Sequence, residues 1–229
     1  MLLRRPSTIC LTVMKRVLAC LVSLLAASPL AAHPHIFVDT GLELRFDAEG
    51  RLSEVKVTWV YDELYSLLIT EEYELDPEFD GVLTPAEIAV LQGFDMNWTE
   101  GFNGDLVVLD GTRDIALSGP MAATADFADG RIITTHVRQI MEEVSPGAAL
   151  DVKPYDKTYY TAYDITLPVT IAGSEACQSS IAVPDLDARL RELSAVLMSL
   201  DANVMPGDEA LPDVGGLLAS TVHVTCDMS

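Results

Sequence analysis

The sequence predicts an α+β fold: a mainly antiparallel, hairpin-rich, sandwich-like β scaffold that carries an inserted EF-hand-like helix–loop–helix and one C-terminal amphipathic helix. Apolar and polar residues alternate over most of residues 36–183, which is the period of half-buried strands. Two stretches break this alternation. Residues 62–95 place helical patterns on both sides of an acidic loop, and residues 185–200 place leucines at helical spacing, which predicts a leucine stripe packed on the core.

Short turns divide the β region into hairpins. Residues 36–46 are predicted to pair with residues 55–61 across a turn at 47–50. Asp-Gly dipeptides at 110–111 and 129–130 mark two further hairpins, because Asp-Gly is a preferred two-residue turn. The remaining strands are predicted at 106–109, 115–117, 122–127, 132–140, 149–152, 159–171 and 179–183, with a last strand around Cys226.

Residues 1–32 are typical of a secretory signal peptide. They contain no acidic residue, and an apolar run at 17–30 ends in small residues that suit cleavage after Ala32. Met1 and Met14 both stay open as the translation start, since either places basic residues ahead of the apolar run. Cleavage would leave residues 33–229 as a single exported domain, with the helix–loop–helix insertion at 62–95.

The chain is strongly acidic. It holds 35 Asp+Glu against 14 Lys+Arg, for a formal charge of −21, and signal-peptide cleavage would remove only basic charges. Such a surface repels phosphate backbones, so nucleic acid is not expected as a partner. Cations are attracted instead.

Two cysteines belong to the exported domain. Cys10 and Cys20 lie in the signal peptide, whereas Cys177 and Cys226 remain after its removal. Oxidising compartments favour a disulfide over a cysteine metal site. We therefore predict a Cys177–Cys226 bridge that ties the last strand to the strand near residue 180.

Residues 76–87 have the spacing of a calcium-binding EF-hand loop. Gly81 occupies position six, where the loop turns sharply and a side chain is expected to collide, and Leu83 at position eight should anchor the loop to the core. The predicted calcium ligands are Asp76, Glu78, Asp80, the carbonyl of Val82, Thr84 and Glu87.

The same stretch has a simpler interpretation. Thr84-Pro85-Ala86-Glu87 is a capping box with proline at the first helical position, which accounts for Thr84 and Glu87 without a cation. The capping box leaves Gly81 and the alternate acids unexplained. The spacing therefore favours a cation loop over a capped acidic turn.

Two of the four histidines lie at the start of the exported domain. Cleavage would make His33 the first residue, so that an α-amine and the imidazoles of His33 and His35 lie together, with Asp39 on the same strand face as His35. These groups suit a transition metal, zinc first, with nickel, cobalt or copper as alternatives. The competing interpretation is a solvated chain end with exposed histidines.

The other two histidines lie on strand faces that look polar. His136 is flanked on its face by Thr134 and Arg138, and His223 by Thr221 and Thr225. Either histidine could complete the metal site or face solvent.

Several stretches of the exported domain resemble a family of bacterial periplasmic proteins, the ZevA-like transport-system components. The resemblance is most specific at the first of them. They are residues 33–38 (HPHIFV), 59–66 (WVYDELYS), 76–87, 155–160 (YDKTYY) and 222–226 (VHVTC). The resemblance implies a periplasmic carrier that supplies zinc, or nickel or cobalt, to an inner-membrane permease of the NicO type.

Three functions compete at this stage. The metal-supplying carrier is favoured. A copper-binding histidine-brace protein or enzyme would need His33 as residue one, and a calcium-stabilised scaffold or adhesion module would explain the acidic loop but not the histidines. The sequence contains no nucleophile elbow, phosphate-binding loop or catalytic Cys-His arrangement, so we expect no enzyme and predict no catalytic residue.

Overall fold

The alternating stretches form strands that assemble into two sheets. The computed structural model describes residues 34–199 and 213–227, so the predicted signal peptide lies outside the described residues. The strands are β1 (Ile36–Phe46), β2 (Leu52–Tyr61), β3 (Leu106–Asp110), β4 (Arg113–Asp114), β5 (Met121–Ala128), β6 (Arg131–Gln139), β7 (Leu150–Pro154), β8 (Thr161–Asp164), β9 (Val169–Ala172), β10 (Cys177–Ala182) and β11 (Thr221–Cys226). The helices are α1 (Glu63–Glu72), α2 (Pro85–Leu91), α3 (Leu186–Ser199) and α4 (Val214–Leu218).

Antiparallel pairing dominates both sheets, as predicted. The larger sheet has the order β5-β6-β2-β1-β8, with β9 also paired to β1, and the smaller sheet has the order β10-β11-β7-β3-β4. The three predicted hairpins are confirmed as β1–β2, β3–β4 and β5–β6. The second hairpin is shorter than predicted, because its return strand is Arg113–Asp114 and not 115–117. Ile115 still donates its N–H to the carbonyl of Val108.

The prediction of one strand at 159–171 is wrong. The stretch forms β8 and β9, and both run parallel to β1. Pro168 has no N–H to continue a ladder. The segment crosses close to β1 at Gly41, where a Cβ would lie 2.9 Å from that of Leu167. The glycine in β1 therefore allows the segment between the two parallel strands to pass close to β1.

Both sheets contribute to one hydrophobic core. On β1 and β2 the inward residues are Val38, Leu42, Leu44, Val55, Val57 and Trp59, and the smaller sheet adds Val108, Leu150, Val152, Val222 and Val224. All of these residues belong to a single buried cluster. A shared core between two sheets agrees with the sandwich-like architecture expected from the alternation.

The acidic insertion is held to this core by leucines. Helices α1 and α2 lie on either side of the acidic loop, and the chain between them buries Leu75 and Leu83, while α2 buries Leu91. The anchoring role predicted for Leu83 is therefore confirmed. Within the described residues, no helix is long and apolar enough to cross a membrane.

Helix α3 coincides with the predicted C-terminal helix, but its leucines are not in the core. Leu186 and Leu190 are 51% and 49% exposed. The prediction that the leucine stripe packs on the core is therefore wrong for these two residues. Leu200 and all but the last residue of the loop at 202–213 lie outside the described residues.

The predicted disulfide joins Cys177 to Cys226. The two residues are directly opposite each other on β10 and β11, and both pack against the core cluster. The bridge thus closes a chain segment of 49 residues and fixes the final strand in register.

We expect the bridge to be a major contributor to stability. Closing a loop of about 50 residues contributes about 4 kcal/mol in the chain-entropy model. Replacing both cysteines by alanine should lower the free energy of unfolding by about that amount in urea denaturation. A proteolytic digest without reductant should also yield one peptide pair containing Cys177 and Cys226. Two separate peptides in that digest would contradict the bridge.

Candidate metal-binding sites

His35 opens a cavity at the start of β1. Its backbone N–H donates to the carbonyl of Tyr160 over 2.8 Å, and the two rings lie 4.8 Å apart. The imidazole is exposed and lines an open cavity of about 450 Å³. The other residues of this wall are Phe37, Asp62, Glu63, Leu64 and Arg131.

Two carboxylates share this cavity with His35. Asp62 is the N-cap of α1, where one oxygen accepts the N–H of Tyr65 over 2.8 Å and the other accepts the N–H of Phe37 over 2.8 Å. Glu63 follows in the first turn and is exposed. An imidazole with nearby carboxylates is a donor set that borderline divalent metals accept. Neither acid was predicted as a ligand from the sequence, although Asp62 stands at the start of a helical pattern, where N-cap residues lie.

Asp39 lies away from His35. The two residues share a strand face, but four residues of strand separate their Cα atoms by about 13 Å. Asp39 accepts a hydrogen bond from the Thr166 hydroxyl over 2.5 Å and pairs with Arg131 over 2.7 Å. The Thr166 hydrogen bond, with Arg131 close by, holds the pKa of Asp39 below its ordinary value. Both carboxylate oxygens of Asp39 are therefore already engaged.

His136 is part of the core. It is 1% exposed, and its ring packs edge-on against Trp59 and Trp98 at centroid distances of 4.7 and 5.6 Å. Burial, with Arg138 close by, lowers the pKa of His136 to about 3. Neither ring nitrogen has a hydrogen-bond partner among the described residues. The face that looked polar in sequence thus points inward.

His223 lies in the smaller sheet. It is exposed on β11, and its Nδ1 lies 2.5 Å from Oδ1 of its cross-strand neighbour Asp151. The structure therefore places His35, Asp39, His136 and His223 in four separate surroundings. Among the described residues, no group of three or more His, Cys, Asp and Glu side chains is arranged to hold a metal. His33 lies outside the described residues.

The acidic loop is closed by its own hydrogen bonds. Asp76 accepts the N–H groups of Asp80 and Gly81 over 3.0 and 2.9 Å, and Glu87 accepts the N–H of Asp76 over 3.0 Å. Gly81 has φ +74°, and a Cβ there would meet nothing within 4 Å. The predicted collision is therefore wrong, and the left-handed backbone is the reason for glycine.

The capping box inside this loop is present. Thr84 accepts the N–H of Glu87, while Glu87 accepts the N–H and the hydroxyl of Thr84, each over 2.7 Å. The hydrogen bonds from Thr84 and Asp76 hold the pKa of Glu87 below its ordinary value. Glu78 and Asp80 are exposed, and so is Val82, whose carbonyl was predicted as a calcium ligand.

Two half-buried carboxylates, Asp95 and Asp105, were not predicted from the sequence. Asp95 accepts hydrogen bonds from the hydroxyls of Tyr61 and Thr134, each over 2.7 Å, and Asp105 accepts one from Tyr163 over 2.9 Å. Burial raises the pKa of Asp95 and raises that of Asp105 to about 7. Both acids lie in an irregular connection, where no periodicity signals burial.

The comparison with protein families gives one match. The family described as "Protein of unknown function (DUF1007)" matches residues 18–226, so the chain belongs to this family. No curated protein matches the chain.

Asp105 should make stability depend on pH. The pKa of Asp105 is about 7 in the folded chain and near 3.8 in the unfolded chain. Its contribution to the free energy of unfolding is therefore fully present below about pH 4 and is lost as pH rises through 7. Replacing Asp105 by asparagine keeps an acceptor for Tyr163 and removes the titration. Urea denaturation should therefore show the variant gaining on the wild type, by a few kcal/mol at most, between pH 4.5 and 7.5.

Glu100→Gln, an exposed acid in the same connection, is the matched control and should follow the wild type. An Asp105→Asn variant whose difference from the wild type stays constant over this pH range would contradict the assignment.

Proposed function

We propose that the protein is a periplasmic carrier, and not an enzyme, that binds a transition metal and supplies it to an inner-membrane permease of the NicO type. Zinc is the preferred cargo, with nickel or cobalt next. The observation that carries the proposal is the cavity at the start of β1, which is lined by His35, Asp62 and Glu63. The resemblance to ZevA-like proteins supplies the permease as partner.

The chemistry of this cavity suits a cargo that must be released. The imidazole of His35 and the side chain of Glu63 are exposed, so metal can enter and leave without opening the core. Asp62 is half-buried, and each of its oxygens already accepts one backbone N–H, so it would bind a metal through its remaining lone pairs. Completion of the coordination shell falls to His33 and the α-amine of the exported chain. Arg131 lines the same cavity, but its charge is offset by Asp39.

The disulfide supports an exported location. Disulfides persist in oxidising compartments such as the bacterial periplasm, and Cys177 and Cys226 are bridged. The preceding segment with the features of a signal peptide points to the same compartment.

We also propose that the acidic loop binds calcium as a structural ion. Asp76, Asp80 and Glu87 concentrate negative charge in a short segment already shaped by hydrogen bonds to Asp76 and Glu87. A divalent cation would relieve the repulsion among these acids. Because buried leucines hold the loop to the core, a loop ordered by calcium would also pack more firmly on the core.

The metal proposal predicts a binding site that depends on the histidines at the start of the domain. In calorimetric titrations with Zn²⁺, Ni²⁺ and Cu²⁺, the double variant His33→Ala, His35→Ala should bind at least about a hundredfold more weakly than the wild type. Glu63→Gln should weaken binding less. Affinity should fall in acid, because imidazole ligands must be neutral.

His223→Ala is the matched control, because it removes an exposed histidine from the other sheet. It should bind as the wild type does. Equal affinities of the wild type and the double variant would refute the site.

The calcium proposal predicts stabilisation by Ca²⁺. Mass action gives about 2.7 kcal/mol at a hundredfold excess over the dissociation constant, which should raise the melting temperature by several degrees. Mg²⁺ should do less, since it requires a tight octahedron and retains its waters. Glu87→Gln should abolish the shift, while glutamine still completes the capping box.

Glu74→Gln, an exposed acid just outside the loop, should leave the Ca²⁺ shift unchanged. A wild type whose melting temperature ignores Ca²⁺ would show that the loop is only a capped acidic turn.

A further inference from the structure

Arg138 on β6 is a charged side chain inside the core region, only 3% exposed. Its partners are all neutral. Nε donates to the carbonyl of Ser118, Nη1 donates to the carbonyl of Asn103 over 2.8 Å, and the guanidinium carbon lies 4.7 Å from the centre of the Trp98 ring. Gly104 completes the enclosure, because a side chain there would overlap Trp98 and Nη1 of Arg138.

No carboxylate among the described residues forms an ion pair with Arg138, although the chain holds 35 acids. The arginines that do pair with an acid are Arg45, Arg51, Arg113, Arg131 and Arg189. All five are more exposed than Arg138. A buried cation without a counter-charge is unfavourable, and burial lowers the pKa of Arg138 to about 10.

Arg138 lines a cavity of about 400 Å³. Two of its five N–H groups are used by the carbonyls, and the other three have no partner among the described residues. Trp98 and Phe102 form part of the wall, and Asp114 and Glu142 also line the cavity. The volume is in the range of small-molecule sites.

We propose that this cavity binds a small monocarboxylate with an apolar body, whose carboxylate supplies the counter-charge that Arg138 lacks. A guanidinium can bind a carboxylate through two parallel N–H donors. The rings of Trp98 and Phe102 contact the apolar body. Asp114 has no ion-pair partner among the described residues and repels a second negative charge, whereas the charge of Glu142 is offset by Arg113 at 3.0 Å, so the cavity selects against dicarboxylates. This site is separate from the proposed metal cavity.

The test uses phenylacetate as the probe with the purified full chain. Binding is followed by calorimetry and by tryptophan fluorescence, to which Trp98 contributes and which should change because the ligand would touch Trp98. Phenylacetate should bind, while the neutral isostere phenylacetamide and the dicarboxylate succinate should each bind at least about tenfold more weakly. Equal binding of phenylacetate and phenylacetamide would overturn the proposal, and so would failure of phenylacetate to bind at 10 mM, a concentration on the order of that for weak sites.

Two variants locate the site. Arg138→Lys keeps the charge but loses the planar fork, and should weaken phenylacetate binding about ten- to a hundredfold. Asp114→Asn removes an exposed repulsive charge without touching the core, and should tighten binding about two- to fivefold at low salt. Circular dichroism checks that both variants are folded.

Arg189→Gln, an exposed arginine on α3, is the matched control and should bind phenylacetate as the wild type does. Undiminished binding by folded Arg138→Lys would overturn the proposal. If that variant does not fold, Asp114→Asn decides, since unchanged affinity there would place the ligand elsewhere.

Discussion

The proposed metal cavity depends on the hydrogen bonds that the carboxylate of Asp62 accepts. This carboxylate accepts the N–H of Phe37 in β1 and the N–H of Tyr65 in α1, each over 2.8 Å. Asp62 also donates its own N–H to the carbonyl of Phe37 over 2.9 Å. A strand end and a helix start are therefore joined by three hydrogen bonds through one residue. Because of this, the wall opposite His35 belongs to the framework and not to a separate loop.

The alternation of apolar and polar residues was sufficient to predict a strand where one face of that strand is apolar and the other polar. The β1–β2 hairpin follows directly from that alternation, and the anchoring of Leu83 follows from its position in the acidic loop. Pattern failed on β6, where Thr134, His136 and Arg138 face inward. Their partners come from distant residues, such as Asp95 for Thr134 and Asn103 for Arg138. A local sequence pattern does not reveal that a polar side chain will be hydrogen-bonded by residues far away in the chain.

The candidate sites show the same division. The capping box and the disulfide could be predicted, because each needs only residue type and a neighbouring element. Whether His35 and Asp39 lie close enough to bind one metal could not be predicted from the sequence. A period of two fixes the strand face on which a residue lies but not how far apart two residues on that face are. The acids that line the cavity with His35 are the N-cap and the first residue of α1, which begins directly after β2. Their nearness is a property of the assembled sheet and helix.

The pairing of β1 has a consequence for how the chain reaches its native state. One edge of β1 is covered at once by β2, but its other edge waits for β8 and β9. The contact of Asp39 with Thr166 spans 127 residues. Because a chain is synthesised from its N-terminus, that second edge stays uncovered until residues 161–172 have been made. An uncovered strand edge can recruit a foreign strand, so β1 is open to mispairing during this interval.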